Sequence, residues 1–252
     1  MNDIFQDFIM EGHVCVYMED ILIFTNTLEK HQHLLWIVLK HLQQHQLYLC
    51  SEKCEFEQTK VEYLRLIVLY GKVEMDPVKV AGVMDWPTPA NWKEVQAFLG
   101  FANSYHQFIK GFLHHACPLF ELTKKEVKWS WGESKQQAFN RLKWQFTSTP
   151  ILCFADNDLP YHVEADSSYV ATGAVLLQQL PDDNQWHAVT FYSKSLTLVE
   201  QNYEIHDKEM LAIIHALEEW KHFLEGTKHC IEIWTDYKNL EYFWTVKKLD
   251  HH

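Results

Sequence analysis

No apolar run in this 252-residue chain approaches the length that crosses a membrane, and Met1 begins no cationic-then-apolar leader, so neither a span nor a secretory signal is expected. The first residues, Met1-Asn-Asp-Ile-Phe-Gln-Asp-Phe-Ile9, read instead as the middle of a helix. Cysteine is sparse: six residues sit far apart, which favours reduced thiols and an intracellular setting over a disulfide framework. Positive charge is scarce as well. With 22 Lys+Arg against 34 Asp+Glu the net charge is −12, which counts against nucleic-acid binding through a simple basic surface. The deficit is concentrated: from residue 157 onward 7 lysines face 16 acids, a balance of −9, leaving −3 for the rest. An acidic C-terminal part suits a carboxylate metal site, or simply a solvated surface, the reading that charge alone favours. Internal repeats and low-complexity segments are also missing. What is present is 47% hydrophobic residues, enough for a real core in one large or two modest domains.

Val14-Cys-Val-Tyr-Met-Glu-Asp-Ile-Leu-Ile-Phe24 is the first strong pattern. Two short β-prone runs flank Glu19-Asp20, which predicts a tight hairpin with two carboxylates at its tip. A divalent cation would let adjacent acids tolerate each other, although alone the pair also reads as an ordinary acidic turn. Thr27 to Gln46 is predicted helical, with Thr27 as N-cap and Leu34, Leu35, Val38, Leu39 and Leu42 as its apolar stripe. Leu47–Leu49 and Val61–Val68 read as strands, and Gly71 as a turn before Val73–Met75. His41, His45, Cys50 and Cys54 loosely have zinc spacing, but without a CxxC knuckle they read as ordinary helix and strand positions.

Asp76-Pro77 opens a helical stretch, since proline is favourable at a first helical position. Val78–Trp86 reads as a short helix, and Asn91 with Glu94 as the capping box of the next. Further short helices are expected at Tyr105–Ile109 and Cys117–Leu122, and a longer one from Ser134 to about Phe146, stopped by Pro150. The aromatics of this part read as core, with base or sugar stacking as the functional alternative.

After Pro160 the period becomes two, and strands are predicted at 161–167, 171–179 and Trp186–Ser193. A long helix from about Asn202 to Leu224 follows, with Met210, Ile213, Ile214 and Leu217 at spacings of three and four and Gly226 just past its end. Cys230–Thr235 reads as a strand, and Asn239–Trp244 as a final helix. Asp166 then ends one strand, Asp236 another, and Glu209 lies early in the long helix. With strand 161–167 central and 231–235 beside it, both aspartates emerge at one sheet edge, and a helix packed on the sheet brings Glu209 to them. Each acid alone is an unremarkable surface residue. Three together need cations between them, and hard oxygen ligands suit Mg²⁺ or Mn²⁺. Two such ions are the machinery of in-line phosphodiester hydrolysis.

These motifs, taken together, resemble the pol polyprotein of gypsy-class long-terminal-repeat retrotransposons over nearly the whole chain. Tyr17-Met-Glu-Asp-Ile-Leu-Ile-Phe24 resembles the reverse transcriptase palm motif, Tyr-x-Asp-Asp-Ile-Leu-Ile/Val-Phe. Lys53–Phe56 and Val61–Leu64 resemble the segment that follows it, and Trp86–Pro89 and Phe98–Tyr105 the thumb and connection. Val163–Ser167, Ala171–Val175, His206–Leu211 and Trp234–Leu240 resemble the RNase H domain. The resemblance implies an α/β and α+β fold: a partial palm at 1–75, a helical thumb/connection at 76–156 and an RNase H-like mixed-sheet domain at 157–252. It implies that Asp166, Glu209 and Asp236 are catalytic acids holding Mg²⁺ or Mn²⁺, and that Glu19 and Asp20 are two polymerase metal positions. The implied activity is cleavage of RNA in an RNA–DNA hybrid, with other segments of a pol polyprotein as partners, in a cytoplasmic particle or the nucleus.

The departures shape that expectation. The family's first palm aspartate falls before Met1, and its fourth RNase H acid after His252, since Asp250 lies too close to Asp236 to replace it. Glu19 stands where the family has Asp, one methylene longer than octahedral Mg²⁺ at about 2.0–2.1 Å readily accepts. Arg65 stands where the family has Gly, and His106-Gln107 where it has basic residues. Loss of polymerase activity is therefore expected in this chain. A non-catalytic nucleic-acid-binding remnant, and polymerase activity only within a larger polyprotein, remain the alternatives.

Overall fold

The computed structural model describes residues 4–125, 127–148 and 151–235. The expected final helix at Asn239–Trp244, Asp236, Asp250 and the Pro150 helix stop lie outside the described residues. The chain divides into two compact units, Met1–Tyr70 and Gly71–His252.

The first unit holds α1 (Gln6–Met10), a hairpin of β1 (Val14–Tyr17) and β2 (Asp20–Ile23), α2 (Leu28–Gln44), and a second hairpin of β3 (Lys60–Tyr63) and β4 (Leu66–Leu69). Its core joins Phe5 and Val14 to the α2 stripe of Leu34, Val38 and Leu42. Thr27 caps α2 as predicted, its hydroxyl accepting from the Lys30 amide at 3.3 Å. Two expectations need correction. Leu47–Leu49 is not a strand. Gln46 turns left-handed (φ 56°), and the Leu47 amide closes α2 by donating to the Leu42 carbonyl at 3.0 Å, so that amide is unavailable for a ladder. Val61–Val68 is not one strand but a hairpin, because Leu64 and Arg65 take φ of 52° and 67° and reverse the chain.

The second unit begins with β5 (Lys72–Met75), then α3 (Pro77–Met84), α4 (Trp92–Asn103), α5 (Phe112–Glu121) and α6 (Glu133–Thr147). The Asn91 cap forms as predicted, accepting from the Glu94 amide at 3.1 Å, and Asp76, ahead of Pro77, caps α3 by accepting from the Val78 amide at 2.8 Å. The aromatics here are chiefly core: Phe98 and Phe139 lie with ring centroids 4.7 Å apart, and Tyr105, Phe108, Phe112 and Phe146 are buried. Leu152 and Cys153 form a short strand, β6, that sequence pattern did not reveal, and it pairs with β5.

The C-terminal sheet consists of β7 (Tyr161–Ser167), β8 (Ala171–Gln179), β9 (Trp186–Ser195) and β10 (Glu232–Trp234), in the order β10-β7-β8-β9. The β7–β8 and β8–β9 pairs are antiparallel and β10 runs parallel to β7, so β7 is interior as expected. One face packs on α7 (Ile205–Glu219), through Tyr161, Val163, Ala165, Ala174 and Leu176 against Ala212, Ile213 and Ala216. The other face meets α5, where a Cβ added at Gly173 would lie 3.9 Å from the Gly111 backbone and the Leu113 amide donates to Ser193 at 3.2 Å. The predicted long helix is shorter and broken. Residues 200–202 form a 3₁₀ turn, α7 ends at Glu219, and a short α8 (Lys221–Leu224) follows. Trp220 leaves helical geometry (ψ 14°), and the change of direction lets Trp220, Phe223 and Leu224 all reach the sheet core.

Candidate metal centre at the end of the central strand

Alternation along β7 sets the site. Val163 and Ala165 point into the α7 core, Ser167 shares their parity, and His162, Glu164 and Asp166 alternate to the other side. Asp166, next to the strand's last residue, is exposed, and among the described residues no hydrogen bond or ion pair engages it. Glu209 is the fifth residue of α7 and is only 2% exposed. A carboxylate that deep needs donors, and three supply them. The Ser167 amide donates to Oε1 at 3.1 Å, the Ser167 hydroxyl donates to the same oxygen at 2.6 Å, and the Thr235 hydroxyl donates to Oε2 at 3.2 Å. Thr235 immediately follows β10, whose register places Trp234 opposite Glu164. Glu209 thus ties α7 to the ends of two neighbouring strands.

Burial pushes the Glu209 carboxyl above the usual carboxylate range, and the nearby charge of Asp166 pushes the same way, while the Ser167 and Thr235 donors oppose them. The donors there are all oxygens, the chemistry a hard dication takes. Among the described residues no group of three or more His, Cys, Asp or Glu side chains is arranged to hold a metal ion. Of the three acids singled out by pattern, two are thus brought together and the third, Asp236, lies outside the described residues.

Glu19 and Asp20 sit as predicted on a hairpin, but not identically. Glu19 lies in the turn beside Met18, whose φ is 52°, and Asp20 opens β2 opposite Tyr17. Both are exposed. Of the loose His/Cys set, the His41 ring bonds the Ile4 carbonyl at 2.7 Å and Cys54 bonds the Cys50 carbonyl at 3.2 Å.

Sequence reading missed Ser167 and Thr235, whose hydroxyls are unremarkable until the fold places them on Glu209. It also passed over His162. This ring is 2% exposed, lies between Trp186 and Trp234 at centroid distances of 5.1 and 4.3 Å, and neither nitrogen has a hydrogen-bond partner. Burial holds its pKa below the ordinary histidine value. The pattern of alternation alone could have marked it, since it shares the face of Glu164 rather than the α7 core.

The chain is similar to known proteins. Residues 1–68 match the family described as reverse transcriptase (RNA-dependent DNA polymerase), and residues 131–231 match the RNase H-like domain found in reverse transcriptase. The Tf2-3 transposon polyprotein of Schizosaccharomyces pombe is 36% identical over 230 residues, which cover 91% of this chain and 17% of that polyprotein. The Tf2-7 polyprotein of the same yeast is 35% identical over 232 residues. The chain therefore spans about a sixth of the curated relatives it matches, 17% of their length. Among solved structures, a foamy viral protease-reverse transcriptase in complex with double-stranded DNA aligns with a TM-score of 0.80 at 18% identity, covering 98% of this chain and 42% of that one. A foamy viral protease-reverse transcriptase in complex with RNA/DNA hybrid aligns with a TM-score of 0.77, covering 96% and 32%. With residues 1–68 matched to reverse transcriptase, residues 131–231 to its RNase H-like domain and 91% of the chain aligned to the Tf2-3 polyprotein, the chain belongs to the gypsy-class retrotransposon pol polyproteins.

Proposed function

We propose that residues 157–252 are an RNase H domain that cleaves RNA in RNA–DNA hybrids, with Asp166, Glu209 and Asp236 as its divalent-metal ligands. The observation that carries this reading is the placement of Glu209: a carboxylate buried from α7, beside exposed Asp166, and fastened to the ends of β7 and β10. Asp236 follows Thr235 directly in sequence, which brings a third acid into the same short stretch. Mg²⁺ or Mn²⁺ bound there would activate water for attack on the phosphodiester and stabilise the leaving oxygen. The chain's own part is to present ionised oxygens from a rigid strand and helix. The solved foamy viral relative bound to an RNA/DNA hybrid supports the substrate class. Recognition of a hybrid rests on backbone shape and the RNA 2′-hydroxyl rather than on base sequence.

In this reading residues 1–75 are a partial palm and 76–156 a thumb/connection. A chain of net charge −12 draws its affinity for a polyanion from other segments of the polyprotein. A second reading, polymerase chemistry, is favoured by one observation, the two acids on the hairpin within the segment matched to reverse transcriptase. It needs a further carboxylate from outside this chain. Incubation of the full chain with a labelled hybrid and Mg²⁺ tests the first reading. RNA cleavage well above an Asp166→Asn control is expected, and equal rates would refute it. Primer extension by the same sample tests the second. Binding without either activity would favour a non-catalytic remnant.

A further inference from the structure

We infer that Ser167, together with Thr235, is a positioning residue that presents one defined oxygen of Glu209 to the divalent ion. The inference rests on the metal-site reading above and goes beyond it by assigning roles to two hydroxyl side chains that carry none by sequence.

A carboxylate oxygen has two lone pairs in its plane, and each accepts one strong hydrogen bond. Oε1 of Glu209 takes two donors from one residue: the Ser167 amide at 3.1 Å and its hydroxyl at 2.6 Å. The second distance is that of a short charge-assisted bond to an ionised acceptor. Both lone pairs of Oε1 are then committed. Among the described residues Oε2 accepts only from the Thr235 hydroxyl at 3.2 Å, a longer bond that leaves its second lone pair open to the ion. The two donor residues belong to different elements, the last position of β7 and the residue after β10. Two bonds from separate strands fix the carboxylate plane in a way that a single donor, about which the group could swing, does not. Glu209 itself is 2% exposed, so water cannot substitute for a lost donor without entering the core.

Donors that sit behind a metal-binding carboxylate set its orientation and its charge, and their removal typically costs about 10- to 100-fold in metal affinity. Ser167 adds a constraint of its own. Its amide comes from the backbone and survives any substitution, so the Ser167→Ala chain loses only the hydroxyl and keeps the strand. Ser167→Thr keeps the hydroxyl and adds a β-branched carbon that strands accept readily.

The test is Mn²⁺ affinity of the full chain, measured by the loss of free-ion electron paramagnetic resonance signal, in wild type, S167A, S167T and E209Q. Thermal melting of each metal-free chain confirms folding, and a variant that fails to melt cooperatively is replaced by Ser167→Cys, which keeps a weak donor of similar size. Weakening of about tenfold in S167A, with S167T restored to within about threefold of wild type, is expected. Weakening in E209Q without any in S167A would overturn the positioning role while leaving the metal site in place. Equal weakening in S167A and S167T would also overturn it, since packing rather than the hydroxyl would then be at work. If neither E209Q nor S167A weakens binding, the metal site fails and the positioning role fails with it.

Discussion

Two pairs of acids in this chain, each one Asp and one Glu, differ in spacing and in everything the fold adds. Glu19 and Asp20 sit on a two-strand hairpin, exposed, with water as their main surroundings. Asp166 and Glu209 lie 43 positions apart, one exposed on a central strand and the other 2% exposed with three hydrogen-bond donors. Adjacency in sequence thus produced a solvated pair, and separation produced a buried, donor-held acid beside an exposed one. The difference teaches that the second pair is built by the sheet and α7 together, whereas the first is a property of a turn.

Breaking the second pair has the largest expected effect. Asp166→Asn should lower hybrid cleavage by more than the roughly 100-fold that loss of an outer-sphere partner costs, whereas Glu19→Gln with Asp20→Asn should leave it within about twofold. Rates of RNA-strand cleavage under single-turnover conditions check both.

Acid titration probes burial in the second unit next. Burial, with Arg141 and His114 nearby, holds the His115 pKa down to about 4. A base whose folded pKa is depressed binds fewer protons when folded, so its stabilisation is present above the unfolded value and lost as pH falls through the window from about 6.5 to about 4. His115→Gln should flatten the fall in melting temperature across that window, as read by circular dichroism.

A smaller effect, of opposite sign, comes from Glu209. Its carboxyl is raised by burial and by Asp166, so the folded chain binds the extra proton and stability declines as pH rises from the ordinary glutamate range through the raised value. At neutral pH without metal, Glu209→Gln should therefore raise the melting temperature. Divalent metal should raise it in the wild type and not in the variant. Glu19→Gln should do neither.

The smallest change sharpens the contrast from the side of the first unit. Arg65 holds a φ of 67° in a turn that glycine adopts without steric cost, so Arg65→Gly should stabilise the unit by about 1 kcal/mol, checked by urea denaturation.

Much of this architecture was legible beforehand because local chemistry dictates it. Thr27 and Asn91 cap helices where pattern placed them, since a side-chain oxygen three residues before a free amide is a local fact. The strands at 161–167 and 171–179 were legible from alternation for the same reason. What escaped depends on distant partners. Leu47–Leu49 has strand composition, but the Leu47 amide is committed to the Leu42 carbonyl. The helix expected to run to Leu224 breaks at Trp220 because three apolar side chains must reach one sheet. β6 forms against partners far away in sequence, Val73 of β5 lying opposite Leu152 from 79 residues earlier. In the site, acid type and strand-end position marked Asp166 and Glu209, but nothing local marks Ser167 or Thr235, whose role arises from contacts 42 and 26 residues away in sequence.

The most direct measurement of the central claim counts Mn²⁺ bound to the full chain by electron paramagnetic resonance, comparing Glu19→Gln/Asp20→Asn with Asp166→Asn/Glu209→Gln. Unchanged binding in the first double variant and loss in the second is the predicted result. Binding that survives in the second, or is lost only in the first, would contradict the assignment of Asp166 and Glu209 as the metal centre.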